Sequence, residues 1–283
     1  MTVSKTTDFN RSYGTVVLRG GRLTKWKGQA ASLSPSLGQL IASVSPVVLG
    51  RALMVGASKT ATAAVLGGAG LIVTTSGASA ACTNTSGTVY VCSSDETTTQ
   101  SLNGGGSLLD VTIVDSATSF DTSGTAGDAF DLYSRAGITF TNNNSEVTIT
   151  GKAIGIEADN RNSGALSITT TGDTTGGASY HGIKATNAGT SLTIDAATTT
   201  GGESGIFAWN KGSGTLSITA NTTGGVNFGI EAKTTGTGAL SITTTGITTS
   251  GQFDGISAII SAASEGDLTI DAVTTMGGDD GIE

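Results

Sequence analysis

One short phrase returns through the second half of this 283-residue chain and sets what the chain can fold into. It reads Gly-Ile-x-Ala, at Gly155-Ile156-Glu157-Ala158, Gly182-Ile183-Lys184-Ala185, Gly205-Ile206-Phe207-Ala208, Gly229-Ile230-Glu231-Ala232 and Gly255-Ile256-Ser257-Ala258, with Gly281-Ile282-Glu283 opening a sixth copy. The glycines are 27, 23, 24, 26 and 26 residues apart, a period of about 25. A second phrase, Leu-(Ser/Thr)-Ile, answers each copy and begins at Leu166, Leu192, Leu216, Leu240 and Leu268. Self-similarity at a period of roughly 20–50 residues marks a solenoid or array, in which each unit buries its apolar face only against its neighbours.

The pattern inside the period is that of strands. Alternate side chains of a strand share a face, so Leu and Ile of Leu-x-Ile point one way and the central Ser or Thr points the other. Ile and Ala of Gly-Ile-x-Ala do likewise. A third β-prone piece carries a Thr-Thr pair, at 174–175, 199–200, 222–223, 248–249 and 274–275, each followed closely by Gly. Three short strands separated by Gly, Asn and Asp corners make one coil of about 25 residues. The expected fold is therefore all-β: a right-handed parallel β-helix, or β-solenoid, its coils about 4.8 Å apart. Leu166, Leu192, Leu216, Leu240 and Leu268 are expected to stack in one ladder, and Ile168, Ile194, Ile218, Ile242 and Ile270 in the next. The opening glycine of each Gly-Ile-x-Ala is expected to need a positive φ or a tight corner. About eight coils over 81–283 would give a rod of about 40 Å. Leucine-rich repeats share this period, but they need L-x-x-L-x-L and a helical half-coil, and neither is present.

Composition agrees with thin coils. Aromatics make up only 5% and Pro occurs twice, while Gly reaches 43 residues, so large core fillers are scarce. Ahead of the clean repeats, 93–110 is polar and turn-rich around Gly104-Gly105-Gly106. Val111-Thr112-Ile113-Val114 reads as a first strand, Phe130 and Leu132 as an inward pair, and Ile138-Thr139-Phe140 and Val147-Thr148-Ile149 as degenerate versions of the later phrases. The expected organisation is a leading region at 1–80, an N-terminal cap at 81–107, and a repeat array at 108–283 that stops inside a repeat, as a fragment of a longer protein would.

Charge separates the leading region from the array. Residues 1–80 carry a net +7 and residues 81–283 a net −15. An acidic, Ser/Thr-rich array repels nucleic-acid phosphates, so nucleic acid is not an expected partner. The basic stretch leads into an uncharged Ala/Gly/Leu/Val run at 60–73 and then Ala78-Ser79-Ala80, a small-x-small site placing a cut before Ala81. Basic, apolar and small-residue segments in that order form a secretory signal, in a flexible or helical leading region. The signal is longer than usual, which fits either a start at Met54 or an extended signal. A membrane-spanning helix over 60–82 is the competing reading, weakened by Thr, Ser and Gly in the run. Cys82 and Cys92, just past the cut, suggest a small hairpin disulfide, with free thiols as the alternative.

An export signal, then Ala-Cys-(x)9-Cys, then Gly/Thr/Ser/Asn-rich repeats without Pro resembles the front end of a bacterial autotransporter, the type V secretion class. The resemblance implies export by the Sec route and passage out of the cell through a C-terminal outer-membrane β-barrel. No such barrel pattern is present within 1–283, and the leading region lacks the specific residues of the better-known extended signals of that class.

No catalytic constellation stands out. His181, the only histidine, sits beside Tyr180 in a corner insertion and is expected to be an exposed loop residue. Asp195 and Asp271 face outward three coils apart, about 14 Å, too far for a carboxylate pair. Gly277-Gly278-Asp279-Asp280-Gly281 has a calcium-repeat flavour but occurs once and at the wrong period, so no metal or cofactor is expected. A flat threonine ladder that binds ice or crystals is opposed by the acids on the outward rows. The expected function is a non-catalytic, surface-exposed or secreted stalk, with adhesion to a host or neighbouring cell as its role. The alternative is a β-helical enzyme acting on polysaccharides, with active residues beyond Glu283.

Overall fold

The computed structural model describes residues 82–283 except 115, 116, 118, 126 and 262–265, together with four strands ahead of residue 82. Two compact units divide the chain, Met1–Ser79 and Ala80–Glu283. In the first, Thr15–Arg19 pairs antiparallel with Arg22–Trp26, and Ala61–Leu66 pairs antiparallel with Gly70–Thr75. The apolar run that suggests a flexible or helical stretch is thus partly a β-ribbon. Ala78, Ala80 and Ala81 lie outside the described residues.

The second unit is a parallel β-solenoid, with no helix among its described residues. One sheet has seven parallel strands, one from each coil: Gln100–Asn103, Phe130–Ser134, Ile156–Asn160, Ile183–Asn187, Ser204–Asn210, Phe228–Thr234 and Ile256–Ile260. The last five carry the Gly-Ile-x-Ala phrase, and Ile156, Ile183, Ile206, Ile230 and Ile256 align in register. A second sheet carries Leu-x-Ile, with Leu166, Leu192, Leu216, Leu240 and Leu268 aligned, and Ile168, Ile194, Ile218, Ile242 and Ile270 beside them. Both expected ladders are present. The seven rungs enclose six turns and span about 29 Å, fewer than eight coils because the stretch from Cys82 to the first rung at Gln100 is spent on a hairpin and a turn-rich connection. The stacking begins at that rung, ahead of residue 108, where the repeat phrases become recognisable.

Burial follows the stacking. Leu240, with a rung on either side, is 0% exposed, whereas the equivalent Leu268 in the last described rung is 47% exposed. An inward leucine is covered by its neighbours, as a one-dimensional array requires. In the early coils the filling is aromatic: Phe120, Phe130 and Phe140 pack with ring centroids 4.8 and 5.0 Å apart.

The first edge is closed by a hairpin. Cys82–Ser86 runs antiparallel to Val89–Cys92, which pairs in parallel with Leu109–Ile113. Cys82 and Cys92 face each other across it and are joined as a disulfide.

The third, Thr-bearing piece differs from expectation in two ways. In early coils it is a separate strand, as at Thr148–Thr150 and Thr174–Thr175, but from Leu192–Gly201 onward it continues the Leu-x-Ile strand. Turn-forming Asn143-Asn144-Ser145-Glu146 and Gly172-Asp173 interrupt the early coils, and Ala196-Ala197-Thr198 replaces them later. The Thr pairs are also not all in register: Thr199 aligns with Thr223 and Thr200 with Gly224. One threonine of each aligned set points inward, so Thr174, Thr199, Thr223 and Thr248 are buried, and a flat outward threonine array is not formed. The hydroxyls of these four have no hydrogen-bond partner. Burying a hydroxyl without a partner costs free energy. Thr199→Val is therefore expected to raise stability by about 1 kcal/mol, read as a higher denaturant midpoint with an unchanged slope.

Candidate functional site

With the inward positions filled by Ile and Ala, the x position of Gly-Ile-x-Ala points outward from the seven-stranded sheet. Register places Ser101, Asp131, Glu157, Lys184, Phe207, Glu231 and Ser257 in one row along the axis. Backbones of neighbouring members are about 4.8 Å apart. On this row and its flanks lie Asp128, His181 and Glu231, whose protonation burial shifts.

The central pair is Glu157 and Lys184, with Nζ 2.7 Å from Oε1. On one side, Ser101 Oγ donates to Asp131 Oδ2 at 3.1 Å. At the corner before the sheet, Asp128 Oδ1 accepts the Ile154 amide at 2.8 Å. Burial pushes the Asp128 carboxyl above the ordinary carboxylate range; the Ile154 amide opposes this, and Glu157 and Asp131 add to it. Glu231, farther along the row, is also raised, first by burial and then by Glu203, with Lys233 opposing. The cluster therefore combines one carboxyl inclined to hold a proton, Asp128, with two neighbours on adjacent rungs, Asp131 and Glu157. A carboxyl inclined to hold a proton beside other acids is an arrangement proton transfer uses, and structural networks produce it too.

His181 differs from its expected place. It is only 9% exposed, because its ring packs on Phe207 of the next coil, with centroids 5.1 Å apart. Its Nε2 lies 3.6 Å from Glu203 Oε2, and its Nδ1 is buried without a partner. Burial depresses its pKa more than Glu203 raises it. The folded chain therefore favours the neutral imidazole. As pH falls below 6.5, the unfolded chain takes up a proton that the folded chain refuses, and stability is lost. The raised carboxyls, Asp128 and Glu231, act with the opposite sign, so comparison with a variant isolates the histidine. His181→Gln is expected to lose less stability than wild type between pH 7 and pH 5, measured by urea unfolding at each pH.

The outward carboxylates singled out in the sequence are not brought together. Asp195 aligns with Thr169 and Thr219, and Asp271 with Thr243, on the second sheet. Both are exposed. Asp279 and Asp280 serve the corner: the Asp280 carbonyl accepts the Gly255 amide, and the Asp280 amide donates to Asp254 Oδ1. Among the described residues, no group of three or more His, Cys, Asp or Glu is placed to hold a metal ion. No helix there is long and apolar enough to cross a membrane, which says nothing of a β-barrel.

Two features escape a reading by phrase. The x-position row was visible only as the variable letter of Gly-Ile-x-Ala, and it becomes a row once the register is known. A buried asparagine ladder lies two residues past the alanine of three successive phrases: Asn160 Nδ2 donates to Asn187 Oδ1 at 2.7 Å, and Asn187 Nδ2 donates to Asn210 Oδ1 at 2.9 Å. Its sequence signal is an Asn four residues after the Ile of three successive phrases.

No protein-family model, curated protein or solved structure matches this chain.

Proposed function

We propose that this chain is the passenger of an autotransporter-type protein, a non-catalytic stalk that leaves the cell and adheres through its outward sheet faces. The carrying observation is the division of labour within the repeat. Inward positions repeat as Leu, Ile, Ala and Asn, while the outward row varies as Asp131, Glu157, Lys184, Phe207 and Glu231. Constant inside and varied outside is how a scaffold presents a surface. The basic leading segment, the run at 60–73 and Ala78-Ser79-Ala80 support export through the Sec machinery. In this reading the cap disulfide forms outside the reducing cytoplasm. A C-terminal outer-membrane barrel is the partner, and the surface or medium of a Gram-negative bacterium is the place.

Fusing residues 1–283 to a phosphatase that is active only after export tests this. Periplasmic activity and a mature N-terminus at Ala81 are expected, with Ala80→Tyr blocking the cut. An uncut, cytoplasmic fusion would overturn it. A downstream reading frame without a barrel pattern of about a dozen strands would remove the autotransporter assignment while leaving export intact.

A polysaccharide-acting enzyme is the second reading, favoured by Asp128, Asp131 and Glu157 on one face. Incubation of the chain with polygalacturonate decides between them. No new reducing or unsaturated ends are expected, and their appearance, lost in Glu157→Gln, would establish the enzyme.

A further inference from the structure

Cations are scarce in the solenoid, and their placement is not random. Residues 81–283 contain six, Arg135, Lys152, Arg161, Lys184, Lys211 and Lys233. All but Lys152 belong to the seven-stranded sheet or to the residue directly after one of its strands. Arg135, Arg161 and Lys211 follow Ser134, Asn160 and Asn210, which occupy one register position. Two residues earlier runs the outward row Tyr133, Asp159, Thr186, Trp209, Lys233 and Ile259.

The two rows interlock around the two aromatic rings. Arg135 Nε donates to the Tyr133 hydroxyl at 3.0 Å, and the Arg161 guanidinium carbon lies 5.0 Å from the Tyr133 ring centroid. Lys211 Nζ is 3.8 Å and Lys233 Nζ 5.2 Å from the Trp209 ring centroid. The one carboxylate in these rows, Asp159, is bound by Arg161 Nε at 2.6 Å. Arg135, Lys211 and Lys233 have no carboxylate within salt-bridge distance among the described residues. A strip of net positive charge with two half-buried rings thus runs along a unit whose net charge is −15.

We propose that this strip binds a carboxylated polysaccharide chain laid along the solenoid axis. The proposal rests on the adhesive reading above and gives it a ligand class. Tyr133 and Trp209 are three rungs apart, about 14 Å, so a few consecutive sugars bridge them. A pyranose ring offers an apolar C–H face to an aromatic ring, and its carboxylate reaches the flanking cations. A carboxylate that draws Lys211 and Lys233 off the indole gains two charges and uncovers the ring for the sugar. Asp131, Glu157 and Glu231 border the strip and oppose any polyanion, most strongly one as densely charged as a duplex phosphate backbone, so duplex nucleic acid fits less well than a chain with one carboxylate per sugar.

Binding of the purified chain to immobilised polygalacturonate tests this without involving export, so failure of the ligand and failure of the export reading are separable. Wild type is expected to bind and to weaken as salt rises. Lys211→Gln/Lys233→Gln and Trp209→Leu are each expected to lose about tenfold in affinity, whereas Lys152→Gln stays within about twofold of wild type. Fully methyl-esterified polymer, identical but uncharged, is expected not to bind. Equal binding of the ester, wild-type affinity in the double lysine variant, or equal competition by single-stranded DNA would each overturn the proposal. Denaturant midpoints of the variants, expected unchanged, separate a lost contact from a lost fold.

Discussion

Asn187→Ala is expected to destabilise the solenoid by about 3–5 kcal/mol, an effect at the upper end for one side chain. Asn187 is fully buried in the middle of the asparagine ladder. Its Nδ2 donates to Ser191 O at 3.0 Å and Asn210 Oδ1 at 2.9 Å. Its Oδ1 accepts from Asn160 Nδ2 at 2.7 Å and from the Gly189 amide at 3.2 Å. The corner after the strand is therefore held by the same amide that links three coils. Truncation strands groups on both neighbours and in the corner, and water reaches none of them easily. Asn187→Asp is expected to cost more than alanine at neutral pH, because it removes both donors and buries a charge facing Asn210 Oδ1. Urea unfolding of the two variants checks the order. If aspartate is tolerated as well as asparagine, the ladder does not hold the corner.

The second large effect concerns the glycine that opens each Gly-Ile-x-Ala. None of Gly155, Gly182, Gly205, Gly229 or Gly255 has a positive φ, so of the positive φ or tight corner expected there the first is absent and the constraint is steric. A Cβ built on Gly155 would lie 2.6 Å from Gly182 O, on Gly182 2.7 Å from Gly205 O, on Gly205 2.8 Å from Gly229 O, and on Gly229 2.6 Å from Gly255 O. The glycines are stacked on one another, each leaving room for the next coil's backbone. At Gly182 the added carbon would also meet Thr200 O at 2.6 Å. These are backbone atoms in hydrogen-bonded ladders and cannot swing aside as a side chain can. Gly182→Ala is expected to cost about 3 kcal/mol, while Gly106→Ala, with open space around it, changes stability by less than about 0.5 kcal/mol. Because each coil is stabilised by its neighbours, damage at Gly182 divides the array rather than loosening one corner. Amide hydrogen exchange across 155–210 is expected to show the loss on both sides.

How much of this was readable in the chain depends on whether a feature repeats locally. Leu-x-Ile and Gly-Ile-x-Ala recur as contiguous phrases, so the alternation alone assigns Leu192 and Ile206 to the inside. The asparagine ladder repeats too, but a lone Asn near Gly and Ser reads as a turn residue; only stacking across 27 residues converts Asn160 and Asn187 into partners. The Thr pairs mislead because coils differ in length: Thr222-Thr223 looks equivalent to Thr199-Thr200, yet the ladder sets Thr199 against Thr223. His181 looks exposed because it lies in an insertion, and its burial comes from Phe207 on another coil. At the candidate site the residue types were visible. Their assembly into a row was not, since Asp131 belongs to a coil whose phrase has decayed to Ala129-Phe130-Asp131-Leu132.

The stacked-coil architecture underlies both the presenting surface and the cation strip, and spin-label distances test it most directly. Thr139, Ser167, Thr193, Ser217, Ser241 and Thr269 occupy one outward row in successive coils. Labels at Thr139→Cys with Ser241→Cys span four steps, about 19 Å between backbones, and Thr139→Cys with Thr269→Cys span five, about 24 Å. The account predicts that the mean distance grows by about 4.8 Å when 28 further residues of chain are added. A pair of distances that does not differ by one coil spacing, or a broad distribution centred well beyond 30 Å as an unstacked chain would give, would contradict it.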